Sequence, residues 1–201
     1  MAHYFTNENL PSDEKEFKCK IKDVRFTFIT DNGVFSKNGL DFGTRTLLES
    51  LPINELSGDV LDFGCGYGPI GIFISKIKKI KVDMLDINLR SIELSKKNSE
   101  INNVDTNVFY SNIYENVTKK YDFIISNPPI RVGNKILYKI LFDAKKNLKN
   151  NGELWIVINK NQGAKTIMKK LEEIYDVELI AKNKGFYIIR SKIIDKLTWL
   201  W

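Results

Sequence analysis

The stretch GDVLDFGCGYGPIG, running to Gly71, restricts this chain more than any other feature. Val60-Leu61 closes a short apolar strand, Asp62 opens a loop, and Gly64, Gly66 and Gly68 follow at alternate positions. Pro69-Ile70-Gly71-Ile72-Phe73-Ile74 then reads as the first turns of a helix. A strand that turns through glycines into a helix makes a floor on which a nucleoside can lie, because glycine supplies unusual backbone angles and lets a ligand approach the main chain. From residue 58 onward strand-like and helix-like segments alternate, a pattern that folds as a parallel sheet with covering helices.

The residues around the glycines discriminate between ligands. A dinucleotide fingerprint needs G-x-G-x-x-G, with the pyrophosphate on the helix N-terminus. Counted from Gly64, the last position is Pro69, and the pattern fails; counted from Gly66 it is met by Gly68 and Gly71, but two residues late. What stands is Asp-x-Gly-x-Gly-x-Gly with an acid at the strand end. S-adenosylmethionine has no phosphate to cradle, but it carries an ammonium that Asp62 can hold directly or through water. Asp86, about 20 residues beyond the loop, closes the next apolar run, where a carboxylate accepts from ribose hydroxyls. These residues favour S-adenosylmethionine over a nicotinamide dinucleotide. The purely structural alternative is a tight turn with one glycine per kink.

Composition removes other chemistries. The 201 residues are 43% hydrophobic and 28% charged, enough apolar mass for one core. Two cysteines, Cys19 and Cys65, are too few for a disulfide scaffold or a zinc site and suit a reducing, cytoplasmic compartment. No apolar run reaches the ~20 residues of a membrane span, and the leader MAHYFTNENLPSDEKEF lacks the pattern of a signal peptide. His3 is the only histidine, which argues against Ser-His-Asp, Cys-His and histidine-metal sites. The net charge of +6 suits a nucleic-acid substrate, with Lys15, Lys18, Lys20, Lys22 and Arg25 as a candidate basic cluster.

Along the chain, residues 1–16 read as a polar leader. Residues 17–22 and 24–30 alternate as a hairpin whose turn must borrow from the neighbours of Asp23. Val34-Phe35-Ser36 reads as a brief extended piece, and residues 41–51 as a helix with Pro52 past its end. Strands are expected at 59–63, 80–85, 106–110, 123–126 and 153–158, and helices at 70–77, 89–102, 134–148 and 163–175. Asn150-Asn151-Gly152 marks a helix stop and turn. Residues 176–181 and 186–191 form a closing hairpin through Asn183-Lys184-Gly185. The expected organisation is one domain: an N-terminal hairpin and helix extension over 1–52, a core over 53–195, and an apolar tail over 196–201.

The second informative stretch is Phe123-Ile124-Ile125-Ser126-Asn127-Pro128-Pro129-Ile130. An apolar strand ends in Asn-Pro-Pro at the edge where open α/β sheets bind ligands. The prolines freeze the backbone and bias Asn127 towards an extended conformation. Two acceptors result, the Asn127 side-chain oxygen and the Pro128 carbonyl, and an exocyclic amine offers two N–H donors. Such a bracket acts by positioning and by stabilising charge on the amine, with no strong base. A strand-ending Pro-Pro turn is the structural alternative.

With both motifs, the chain resembles class I methyltransferases carrying an Asn-Pro-Pro motif, most nearly the ribosomal-RNA small-subunit methyltransferase C family of guanine-N2 enzymes, in a small single-domain form. The resemblance rests on Gly33-Val34-Phe35-Ser36 with Asp41-x-Gly43-Thr44, on Asp62 to Gly68, on Asp86-Ile87-Asn88, and on Asn127-Pro128-Pro129-Ile130-Arg131-x-Gly133. It continues through Asn151-Gly152-Glu153-Leu154-Trp155 and Gln162-Gly163-Ala164. It implies an α/β, Rossmann-like methyltransferase fold, a mostly parallel seven-stranded sheet with a terminal antiparallel hairpin. It implies S-adenosylmethionine as cofactor, no metal and no membrane, and ribosomal RNA or the small subunit as partner. The implied catalytic set is Asn127, Pro128, Pro129 and Ile130; the cofactor set is Asp62, Gly64, Cys65, Gly66, Gly68, Asp86, Ile87, Asn112, Ile113 and Asn127; the substrate set is Phe35 and Arg131. Ile130 stands where many relatives have an aromatic, and Ser111-Asn112 where the family usually has an acid. Larger bacterial members carry a degenerate duplicate domain in front, for which the 201 residues leave no room. Adenine-N6 or glutamine-amide methylation shares the same bracket, and a non-catalytic SAM- or RNA-binding assembly module is the reading of another class.

Overall fold

In this computed structural model, which describes residues 10–194 apart from the side chain of Arg131, the chain opens with two antiparallel strands, β1 (Lys15–Ile21) and β2 (Val24–Thr30). Residues 1–9, with His3, and the expected tail over 196–201 lie outside the described residues. Ile21 pairs with Val24, so Lys22-Asp23 forms the turn, both at positive φ (43° and 66°). That mirror-image turn matches the twist of its strands, and Lys22 is thereby taken from the run expected to be strand. Ile21, Phe26 and Phe28 are buried on the inner face.

Residues 34–36 are not extended as expected. Gly39 N–H donates to the Ser36 carbonyl at 3.2 Å and the Ser36 hydroxyl to the Gly39 carbonyl at 2.6 Å, closing a turn with Ser36 at φ 60°. Among the described residues no strand pairs with this segment, and it closes hydrogen bonds within its own turn. Helix α1 (Phe42–Ser50) follows.

The main sheet has seven strands, β3 (Val60–Phe63), β4 (Val82–Asp86), β5 (Thr106–Tyr110), β6 (Tyr121–Ser126), β7 (Leu148–Asn159), β8 (Tyr175–Asn183) and β9 (Phe186–Ile193). Their spatial order is β5-β4-β3-β6-β7-β9-β8. The first five strands of this sheet run parallel, and β9 pairs antiparallel with both β7 and β8. Helices α2 (Pro69–Lys78), α3 (Leu89–Ile101), α4 (Asn134–Asn147) and α5 (Ala164–Leu171) make the crossovers and cover both faces. One apolar cluster joins the hairpin, α1, α2 and α3 to the sheet through Phe28, Leu47, Phe73 and Met84. The other joins α4 and α5 to it through Leu61, Leu141, Ile156 and Leu171.

Two boundaries differ from expectation by more than two residues. The turn expected at 150–152 is a kink inside β7, which starts at Leu148; Asn151 has φ 63° and the pairing with β6 shifts register between Tyr121 and Phe123. The last helix ends at Leu171 rather than at 175, because Tyr175 is buried as the first residue of β8.

The order of the strands positions the site. From β3 the chain lays β4 and β5 on one side, then crosses to lay β6 on the other. Crossovers therefore diverge between the carboxyl ends of β3 and β6, leaving a crevice at the switch point. Ser126 Oγ donates to the Phe63 carbonyl at 2.7 Å and ties those two ends together. Among the described residues no helix is long and apolar enough to cross a membrane.

Candidate active site

The glycine loop leaves β3 and is pinned to the end of β4: the Gly64 and Cys65 N–H groups both donate to the Leu85 carbonyl at 2.9 Å. Gly66 has φ 58°, and a Cβ built there would meet nothing within 4 Å, so this side of the loop is open to a ligand. Gly71 serves the opposite need. A Cβ there would lie 2.6 Å from Met84 Sδ, so the missing side chain lets α2 sit close on β4. Cys65 points its thiol inward, 3.4 Å from Ser95 Oγ and 3% exposed, and burial pushes that thiol well up. Its offer to a ligand is backbone only. Gly68, also buried, caps α2.

Asp86 faces the loop. Its Oδ2 accepts from Gly66 N at 2.9 Å and its Oδ1 from Asn88 N at 2.9 Å. Burial raises its carboxyl, opposed by the N–H groups of Asn88, Gly66 and Ile87. A carboxylate has about four acceptor directions, so capacity remains for a ribose hydroxyl. Ile87, half-buried, follows it.

Asp62 sits within β3. It is 0% exposed beneath the loop, and its Oδ2 accepts from Gly71 N at 2.8 Å, holding the start of α2. Its Oδ1 is buried without a hydrogen-bond partner among the described residues. Burial pushes the carboxyl up to about 7, against the Gly71 N–H and with the help of the Asp86 charge.

A third wall comes after β5, where Ser111 N donates to the Asp86 carbonyl at 3.0 Å. Asn112 Nδ2 donates to Glu115 Oε1 at 2.8 Å, while its own Oδ1 takes no hydrogen bond among the described residues. Glu115, missed from the sequence, supplies a carboxylate after this strand but engages it on Asn112; the Asn-x-x-Glu spacing of a turn was its only signal. Ile113 sits at φ 56°, a left-handed conformation rare for a β-branched residue.

Across the crevice, Asn127 follows β6 with its side chain held by α1. Nδ2 donates to Asp41 Oδ2 at 3.2 Å and to Thr44 Oγ1 at 2.9 Å. Asp41 is the N-cap of α1, accepting Thr44 N at 2.9 Å. Pro128 is buried and Pro129 half-buried, with Pro129 Cδ 4.0 Å from where a Cβ on Gly64 would sit. The Asn-Pro-Pro bracket and the glycine loop are thus neighbours. Ile130, also half-buried, packs on the α4 side of the core. Arg131 lies in the single tight turn Ile130–Val132, its side chain outside what the structure describes.

Phe35 is 45% exposed while Val34 beside it is 5%, so Val34 is the residue that plugs the core. Their loop rests on the start of α3: Asn88 Nδ2 donates to the Gly33 carbonyl at 3.1 Å, and Arg90 Nη1 to the Asn32 carbonyl at 2.7 Å. The expected basic cluster is partly engaged by its own neighbours. Lys15 pairs with Asp13 at 3.3 Å, Lys20 with Asp23 at 2.6 Å, and Lys22 Nζ donates to the Leu51 carbonyl at 2.8 Å. Among the described residues no group of three or more acidic or cysteine side chains is placed to hold a metal.

A family model described as the methyltransferase small domain matches residues 25–190. The Bacillus subtilis (strain 168) protein YbxB, described by its name as uncharacterized, is 41% identical over 94% of this chain and 98% of its own. Ribosomal RNA small subunit methyltransferase C of Colwellia psychrerythraea is 33% identical over 92% of this chain and 52% of its own, so the chain spans about half the length of that relative. Among solved structures, the T. thermophilus 16S rRNA N2 G1207 methyltransferase RsmC, in complex with AdoMet and guanosine, superposes with a TM-score of 0.81 at 24% identity, over 92% of this chain and 52% of that one.

Proposed function

The chain belongs to the methyltransferase small domain family, and from that premise we propose that it transfers a methyl group from S-adenosylmethionine to an exocyclic amine of a nucleobase, guanine N2 of small-subunit ribosomal RNA. The observation that carries this reading is the Asn127-Pro128 bracket standing across the β3/β6 switch point from the Gly64–Gly66 loop and Asp86.

The residues fit the cofactor. The open side of Gly66 admits a nucleoside against the backbone, and Asp86 retains acceptor capacity for its ribose. The orphaned Asp62 Oδ1 is the kind of buried acceptor that an ammonium, directly or through a water, would complete. Asn112 Oδ1 is an acceptor for an adenine amine. Bound there, S-adenosylmethionine supplies an electrophilic methyl group.

The chain's own residues do the rest by placement. Asn127 Oδ1 and the Pro128 carbonyl accept the two hydrogens of the target amine, which turns its lone pair out of their plane and stabilises the positive charge that develops on nitrogen. Phe35, at the mouth, offers a face for stacking. Arg131, next to the bracket, is assigned to the substrate as a phosphate contact. The names of its relatives support the ribosomal substrate.

The test is methyl transfer from labelled S-adenosylmethionine to small ribosomal subunits and to free 16S RNA, followed by nucleoside analysis. N2-methylguanosine is expected. Label in N6-methyladenosine or in protein would move the reading to another amine on the same bracket, and cofactor binding without transfer to any substrate would overturn the enzymatic reading.

A further inference from the structure

We propose that Asp41 and Thr44 are positioning residues for the transfer: they fix the orientation of the Asn127 amide so that its oxygen, and not its NH2, is presented to the target amine. The proposal rests on the functional reading above and adds two residues to it from the N-terminal extension.

A side-chain amide is nearly symmetric in shape, and turning it over exchanges an acceptor for a donor. In this site the exchange is decisive. An amine bound by N–H donation needs acceptors, and a flipped Asn127 would oppose it with two donors. The local hydrogen-bond logic allows one orientation. Asp41, as a carboxylate, only accepts, and its Oδ2 lies 3.2 Å from Asn127 Nδ2. The Thr44 hydroxyl lies 3.4 Å from that same Oδ2 and directs its hydrogen there, so its oxygen is left to accept from Asn127 Nδ2 at 2.9 Å. Both amide hydrogens are then engaged on α1, and Oδ1 takes no hydrogen bond among the described residues. Thr44 is 3% exposed, which keeps water from competing for the pair. Capping α1 explains why Asp41 accepts from Thr44 N; it does not explain why a residue 86 positions away shares the same oxygen.

The arrangement also requires asparagine at 127 in place of aspartate. A carboxylate there would keep its acceptors but would stand within hydrogen-bond distance of Asp41, where two like charges cannot both persist. A swap separates positioning from simple structure. Asn127→Asp alone should lose turnover by about 100-fold or more at neutral pH, the scale of losing one preorganised group. Asp41→Asn added to it should recover at least ~10-fold (about 1.4 kcal/mol), because it removes the second carboxylate while its amide oxygen still caps α1, a position where Asn and Asp are equivalent, and leaves the Thr44 hydroxyl free to donate to the new carboxylate. A swapped protein no more active than Asn127→Asp, although folded and binding S-adenosylmethionine by calorimetry, overturns the positioning role.

A second readout needs no activity. In the native chain the Asn127 side-chain NH2 resonances, identified by their disappearance in Asn127→Ala, should be protected from solvent exchange, and Asp41→Gly, which keeps a tolerated N-cap residue without the acceptor, with Thr44→Val should release them. Rapid exchange in the native chain overturns the positioning whatever the turnover. A protected NH2 in a chain that methylates nothing overturns the functional reading alone.

Discussion

Asp62 is the residue whose environment departs furthest from what its position suggests. The acid that opens the loop is sealed beneath it, one oxygen spent on Gly71 N–H and the other without a donor. Its carboxyl titrates near 7 when folded and near the ordinary 3.8 when unfolded. Between those values the folded state binds the extra proton, so stability from this group is present at acid pH and falls as pH rises towards 7. The charge lowers the stability of the ligand-free chain at neutral pH by roughly 4 kcal/mol. Asp62→Asn should therefore flatten the fall, measured as the difference in urea unfolding between about pH 4.5 and 7.5 relative to the native chain. The surface carboxylates are common to both proteins and cancel. Equal slopes would show that Asp62 keeps its charge at no penalty.

At the scale of elements, α3 does more than cross between β4 and β5. Asn98, fully buried, donates from Nδ2 to the Ile29 carbonyl at 2.9 Å and to the Tyr67 carbonyl at 2.8 Å, and accepts from Ile29 N at 2.7 Å. Asn102, one turn on, treats Thr27 the same way, accepting its N–H at 3.2 Å and donating to its carbonyl at 2.7 Å. Two asparagines on one helix face thus take the place of a neighbouring strand along the edge of β2 that β1 leaves unpaired. Asn98→Ala would strand three backbone groups, the buried Tyr67 carbonyl and the partly buried N–H and carbonyl of Ile29. At about 1–3 kcal/mol for each group left unsatisfied, with partial relaxation, the expected loss is ~2–4 kcal/mol. Chemical unfolding measures the loss, and amide exchange at Ile29 should quicken with it. An unchanged midpoint would mean that the hairpin docks by its apolar face alone.

At the scale of the whole molecule, the N-terminal extension forms a second wall of the crevice. Its loop is fastened to the start of α3 through Asn88 and Arg90, and its helix to the Asn-Pro-Pro bracket through Asn127. Between the two fastenings Phe35 stands 45% exposed. Stacking of a base on such a ring contributes about 1–3 kcal/mol, so Phe35→Ala should raise KM for RNA by roughly 10-fold while S-adenosylmethionine affinity and the melting temperature stay as they were. A lower melting temperature as the sole change would assign Phe35 to the core instead of the mouth.

What lay in the sequence itself was everything encoded by adjacent residues. Alternating apolar runs placed the strands and helices, Gly64 to Gly71 marked a ligand floor at a strand end, and Asn127-Pro128-Pro129 marked a rigid pair of acceptors; the seven-stranded sheet with its closing hairpin follows from that order of elements. What lay only in the tertiary structure was every pairing made across distance. That β6 lies against β3, that Asp62 is sealed, that Asn98 completes a strand edge 69 residues away and that Asp41 orients Asn127 from 86 residues away all depend on which surfaces meet. Periodicity and backbone preference act within a few residues and leave a trace at each position. A polar side chain on a helix reads the same whether water or a buried carbonyl receives its hydrogen, and only packing decides between them.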